Sequence, residues 1–164
     1  MYRQILPVDN LQHIETVVNI ASSVWNEYYS SILSKGQIDY MLDKFQSAES
    51  IKEQIEFGGY QYFLLHGNVG YFSIRQDLDS LFLSKFYILK EYRGKGFASA
   101  GFDFLEKIAL ENSLTNIWLT VNKENDNSIS IYKHRGYEIV KEQVADIGNG
   151  YFMDDYIMQK NIKV

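Results

Sequence analysis

The chain has 164 residues, 46% of them hydrophobic, with 16 Lys and Arg against 21 Asp and Glu and no Cys. That length fits one domain spanning 1–164 with a real core, and the lack of Cys excludes a disulfide framework, a thiolate nucleophile and a thiolate-held metal. A net charge of −5 without a basic stripe argues against nucleic acid or an anionic membrane as partner, while leaving room for a cationic substrate.

Residues 2–6 read as a short strand closed by Pro7. Asp9 or Asn10 can cap a helix whose apolar residues Leu11, Ile14, Val17, Val18, Ala21, Val24 and Trp25 recur at helical spacing. A tyrosine-rich connection is expected over 28–35, then helices over 37–45 and 48–57, with Ser47 as cap and Gly58-Gly59 as stop. Strands over 60–65 and 69–76 flank the hairpin turn His66-Gly67-Asn68. A turn at 77–80 leads into a strand over 81–88.

A charged glycine turn at 90–95 then opens an amphipathic helix, with Phe97, Gly101, Phe104, Leu105 and Ile108 on one face and Asn112-Ser113 at its end. A strand over 116–121, a short helix over 125–135 stopped by Gly136, and strands over 137–144 and 151–158 around a loop at 146–150 complete the order. The fold class is α/β of the α+β type, with one central, mostly antiparallel sheet and helices packed on it. The first seven residues lack the apolar core of a signal peptide and no later run reaches spanning length, so a cytoplasmic protein is expected.

Two stretches carry chemistry. The first is Tyr92-Arg93-Gly94-Lys95-Gly96-Phe97-Ala98-Ser99, between a strand and a helix. A helix start presents unpaired N–H groups and a partial positive charge to an anion. Glycines at 94 and 96 let that backbone approach a phosphate, and Arg93 and Lys95 add charge. A tight turn into a helix would need no ligand at all. A Rossmann turn fails because Ser99 stands where the third glycine belongs, and a P-loop fails for want of Gly-Lys-Ser/Thr.

The second stretch runs from Asn122 to Tyr137, an Asn-rich turn, a short helix bearing Tyr132, and Gly136-Tyr137 entering a strand. Read alone, it is equally an Asx-capped helix whose tyrosine packs in the core.

Together and in this order, the two stretches resemble the GNAT superfamily of acyl-CoA N-acyltransferases. Its members carry an Arg/Gln-x-x-Gly-x-Gly/Ala turn between a strand and a helix. They then place an Asn seven residues before a Tyr, with Gly-Phe or Gly-Tyr four residues after it, a spacing that Asn125, Tyr132 and Gly136-Tyr137 meet. The resemblance covers about 69–140. It implies a mixed, mostly antiparallel sheet of six to seven strands with helices on both faces. A weaker similarity at both ends, in Trp25-Asn26-Glu27-Tyr28-Tyr29, the 40–45 helix, Ile117-Trp118-Leu119 and Asp155-Tyr156-Ile157-Met158, points to spermine/spermidine N-acetyltransferase-like members.

The resemblance implies acetyl-CoA as co-substrate, its pantetheine arm pairing along Phe86-Tyr87-Ile88 and its pyrophosphate lying on the backbone from Arg93 through Lys95, Gly96, Phe97 and Ala98 to Ser99. Asn125 would hydrogen-bond the arm with Ser128 beside it. Lys133 or Arg135 could reach the adenosine 3′-phosphate, although a solvated helix face suits both. Tyr132 corresponds to the residue that protonates the departing CoA thiolate, and a backbone N–H of 86–88 would polarise the thioester oxygen. The acceptor is a primary amine, with a polyamine suggested by the charge and the terminal similarity.

Some relatives carry a Glu on the 81–88 strand to deprotonate the amine, but Phe82 and Ser84 stand there. Asp154, Glu27, Asp39 and Tyr28 are the candidate bases, and Trp25, Glu27, Tyr28, Tyr29 and Asp154 the candidate acceptor residues. His13, His66 and His134 are scattered, and Asp154-Asp155 alternates faces on a strand, so no metal is expected. The rival readings are a CoA-binding sensor or interaction module without transferase activity, and a protein or peptide N-acetyltransferase. A homodimer is compatible with the sequence.

Overall fold

The computed structural model describes residues 4–162, so Tyr2 and Arg3 of the expected first strand lie outside it. The elements run β1 (Ile5–Pro7), α1 (Leu11–Tyr29), α2 (Lys35–Gln46), α3 (Ala48–Phe57), β2 (Tyr60–Leu65), β3 (Gly70–Asp77) and β4 (Ser80–Ile88). A 3₁₀ turn (Lys90–Tyr92), α4 (Phe97–Glu111), β5 (Asn116–Asn122), α5 (Asp126–His134), β6 (Glu138–Gly148) and β7 (Tyr151–Asn161) follow.

Capping side chains set where the first three helices begin. Asn10 accepts from the His13 N–H, Ser34 from Gln37 and Ser47 from Ser50. Helix α1 continues past the expected break at Tyr28, because Tyr29 extends the stripe from Trp25 and packs edge-on against it at 5.9 Å. The last hairpin is also longer than its sequence suggests. Asn149 and Gly150 both have positive φ and make a two-residue turn, which shrinks the expected loop and carries β6 to Gly148.

The seven strands lie in the order β1-β2-β3-β4-β5-β7-β6, antiparallel except for β4 with β5. Alternation splits the interior in two. Phe63, Leu65, Phe72 and Ile74 join Phe102 and Leu105 of α4 and Ile129 of α5 on one face. Tyr62, Leu64 and Tyr71 meet Val17, Val24 and Trp25 of α1, Met41 of α2 and Ile51 of α3 on the other. Helices therefore cover both faces.

The second face is stitched by buried polar bonds. Tyr71 donates its hydroxyl to Gln46 Oε1 at 2.5 Å, Gln46 Nε2 donates to the Tyr62 hydroxyl at 3.0 Å, and Tyr62 donates to Gln54 Oε1 at 2.6 Å. Helix α2 also holds the far hairpin, since Tyr40 and Lys44 donate to the Ile147 carbonyl and Gln37 to that of Phe152. Replacing Gln46 with Leu strands the fully buried Tyr71 hydroxyl. Denaturant unfolding should show a loss of about 1–3 kcal/mol, the cost of an unsatisfied buried group. An unchanged midpoint would show that the network contributes nothing to stability.

Candidate active site

Strands β4 and β5 pair only at their starts, Ser80–Phe82 against Asn116–Trp118, and then part. The rings of Phe82 and Trp118 stack at 4.2 Å at the fork. One cavity opens on each face of the sheet around this parting.

The α4–α5 side holds a groove of about 420 Å³, lined by Phe86 and Ile88 of β4, by Arg93, Gly94, Gly96, Phe97, Ala98 and Ser99, and by Tyr28, Ser128 and Tyr132. Gly94 and Gly96 have φ of 73° and 84°, the left-handed region that glycine enters without strain, and Gly96 brings no side chain to cap α4. A Cβ at Gly94 would meet nothing within 4 Å, so the space over the turn is open. Leu89 donates its N–H to Val69 in β3 at 2.9 Å. By the alternation of an antiparallel ladder, Tyr87 then faces β3, while Phe86 and Ile88 aim backbone polar groups toward the parting.

The α1–α3 side holds a chamber of about 380 Å³ walled by Trp25, Tyr29, Phe45, Phe82, Tyr87 and Trp118. An amine and a carboxyl side chain line it, Lys85 from β4 and Asp155 from β7. Asp155 is 7% exposed, and its Oδ1 is buried without a hydrogen-bond partner. Burial, reinforced by the neighbouring Asp154 carboxylate, pushes its acid up to about 6 against the pull of Lys85 and Lys123. Burial likewise draws the Lys85 ammonium down to about 8, opposed by Asp155. Lys85 donates only to its neighbour Ser84, at 2.9 Å to Oγ and 3.3 Å to the carbonyl.

The profile of the acetyltransferase (GNAT) family matches residues 21–137, which spans the fork, the glycine turn and Tyr132. The chain belongs to this family. It is 30% identical over 95 residues, 57% of its length, to an uncharacterised N-acetyltransferase of Mycobacterium tuberculosis (strain H37Rv) and spans 60% of that relative. Its fold superposes with a TM-score of 0.81 on the PaiA N-acetyltransferase of Thermoplasma acidophilum in complex with coenzyme A, at 19% identity over 98% of this chain and 99% of that one. A chimera of the Vibrio cholerae spermidine N-acetyltransferase SpeG and hSSAT superposes with a TM-score of 0.71, at 16% identity over 98% and 96%.

In this GNAT chain the groove fits acetyl-CoA. It offers an open glycine turn at a helix start for a diphosphate and aims strand backbone from Phe86 and Ile88 at the space where an extended arm would lie. Arg93, however, is not free to clamp a phosphate. Its guanidinium makes a bidentate pair with Glu27 at 2.8 and 2.7 Å, donates through Nε to the Ile88 carbonyl at 2.9 Å and stacks over Tyr28 at 4.5 Å. It locks the turn to α1, and the Arg93 hydrogen bond holds the Glu27 carboxyl below its usual range. Lys95 is exposed, 6.0 Å from the Tyr92 ring. The family's turn motif is met by Arg93-Gly94-Lys95-Gly96-Phe97-Ala98, with Arg93 at its first position, Gly96 at its fourth and Ala98 at its sixth.

Other expected residues sort themselves by face. Asn125 spends its side-chain oxygen on the Ser128 N–H, capping α5, and does not line the groove. Tyr87, Trp25 and Tyr29 line the chamber, whereas Tyr28 lines the groove. Arg135 is held by Asp103 and Glu106. Asp39 pairs with Lys35 at the surface, and Asp154 points away from the chamber to Lys123 at 2.8 Å. Asp155, one residue on, faces inward, because a strand sends consecutive side chains to opposite faces.

Lys85 escaped the sequence reading for a related reason. Simple alternation along β4 groups 82, 84, 86 and 88, but the register shifts between Ser73 and Ile74, leaving Ser84 as an extra residue on β4. The bulge turns Ser84 and Lys85 to the same face and sends Phe86 to the other. Among the described residues no cluster of His, Asp or Glu could hold a metal, and no helix is long and apolar enough to cross a membrane.

Gly96→Val places a branched residue at a left-handed backbone position beneath the proposed phosphate. Calorimetry should show acetyl-CoA affinity falling about tenfold or more, a penalty in line with the strain at such a position. Parental affinity would remove the turn from the binding site.

Proposed function

We propose that this chain transfers the acetyl group of acetyl-CoA to a primary amine. The carrying observation is the parting of β4 and β5, which sets a groove suited to the cofactor on one face of the sheet and an aromatic chamber with a buried carboxylate on the other. Bound acetyl-CoA supplies an activated thioester. Asp155 takes a proton from the acceptor's ammonium, which frees the amine lone pair to attack the thioester carbonyl. The C–N bond forms, the C–S bond breaks, and the surplus proton on the new amide nitrogen replaces the one that Tyr132 gives up. Tyr132 gives its phenolic proton to the leaving sulfur. Backbone N–H groups at Phe86 and Ile88 are placed to meet the carbonyl oxygen as it gains charge.

The four bases considered from sequence are poorly placed for this work. Glu27 is bound to Arg93, Asp39 and Asp154 sit in surface ion pairs, and Tyr28 lines the groove. A polyamine acceptor gains little from the chamber, which answers a chain of cations with one buried acid and a lysine. Coenzyme A release, followed with a thiol reagent over a panel of amines, tests the proposal. A sensor module would bind acetyl-CoA and release no thiol with any of them.

A further inference from the structure

Lys85 is the group that the transfer chemistry leaves unused. It is a cation set into an aromatic wall, opposite the carboxylate assigned to the amine, and no ion pair joins the two. Its ammonium donates only to the adjacent Ser84, so it retains capacity for an acceptor. Removing a lysine from water is costly unless an anion compensates, and the nearest acid stops short of doing so. A bulge in β4 presents it, which is a local departure from pairing of the kind that re-aims a side chain at a site. Opposite it, the unpartnered Oδ1 of Asp155 requires a donor. The two needs are opposite in sign and share one cavity.

We propose that the acceptor carries a carboxylate as well as its amine, an amino acid with an apolar or aromatic side chain, with Lys85 binding the carboxylate and Asp155 the ammonium. The inference rests on the transferase reading and narrows its substrate. Each charge meets its opposite. The aromatic part of the lining, Trp25, Tyr29, Phe45, Phe82, Tyr87 and Trp118, offers ring faces and edges to the side chain. The same arrangement selects against polyamines, whose second cation would meet Lys85.

The test compares matched acceptors that differ only in the carboxylate: phenylalanine with phenethylamine, and leucine with isoamylamine, together with spermidine. The parent protein should favour each amino acid over its decarboxylated partner in kcat/KM. In Lys85→Met that preference should shrink by about tenfold to a hundredfold, the worth of a charge-assisted hydrogen bond, chiefly through a higher KM for the amino acid. Lys85→Arg should restore most of it. Circular dichroism and melting temperature confirm that the variants are folded. Equal use of both members of each pair, a better rate with spermidine, or a preference untouched in Lys85→Met would overturn the assignment while leaving the transferase intact. Acetyl-CoA binding without coenzyme A release, for any acceptor with or without a carboxylate, would instead overturn the transferase reading and this one with it.

Discussion

Tyr132→Phe is expected to lower kcat by about 10²–10⁴-fold, the usual contribution of a positioned general acid. The phenol sits in the groove beside the glycine turn, and its ring packs edge-on against Phe102 at 6.0 Å and Tyr137 at 5.9 Å. Phe preserves those contacts. Burial, with smaller contributions from Tyr29 and Tyr28, raises the Tyr132 phenol well above its ordinary value, so it remains protonated at any pH where the protein works. Among the described residues its hydroxyl has no hydrogen-bond partner, so removing it breaks no bond that folding depends on. The melting temperature and the acetyl-CoA affinity should therefore stay near the parent's while turnover collapses. A variant that keeps more than half of the parent kcat would show that solvent, not Tyr132, protonates the thiolate.

Asp155→Asn should be nearly as damaging, with a signature in pH. With its acid near 6, Asp155 is ionised above that value and protonated below it, so the parent kcat/KM should fall as pH drops through about 6. Asn keeps the shape and loses the basic oxygen. We expect a fall of about 10²–10³-fold at pH 7.5 and the disappearance of that acidic limb. Stability moves the other way. The folded pKa lies above the usual carboxylate value, so between about 4 and 6 the folded state holds a proton that the unfolded chain has released. Folding stability consequently declines as pH rises through that window, and the buried charge is a liability above it. The Asn variant should melt at the same temperature as the parent or higher at pH 7.5. An acidic limb that survives in the variant would assign it to another group, and a lower melting temperature would mark Asp155 as structural.

The pattern of elements was legible in the chain because its signals are local. Caps at Asn10 and Ser47, glycines after the helices and period-two apolar runs depend on residues within a few positions of one another. The glycine turn and Tyr132, whose spacing led to the family, are separated in sequence and brought to one groove by the fold. The long last hairpin was less legible, since Asn149-Gly150 also fits a looser loop until its strands are seen to pair.

The acceptor side depended on facts that no local window contains. Asp154 and Asp155 are interchangeable on paper, and the register of β7 against β5, Asn122 opposite Asp155, decides which of them is buried. Lys85 reaches the chamber only because a bulge opposite Ser73 reverses the alternation of β4. Arg93 and Glu27, which sequence assigned to phosphate and amine, satisfy each other across 66 positions of chain. Composition, caps and spacing act over one or two turns of backbone and so dictate the elements and the glycine turn. Register, bulges and long-range ion pairs form when those elements pack, and they alone choose which charges face the chamber.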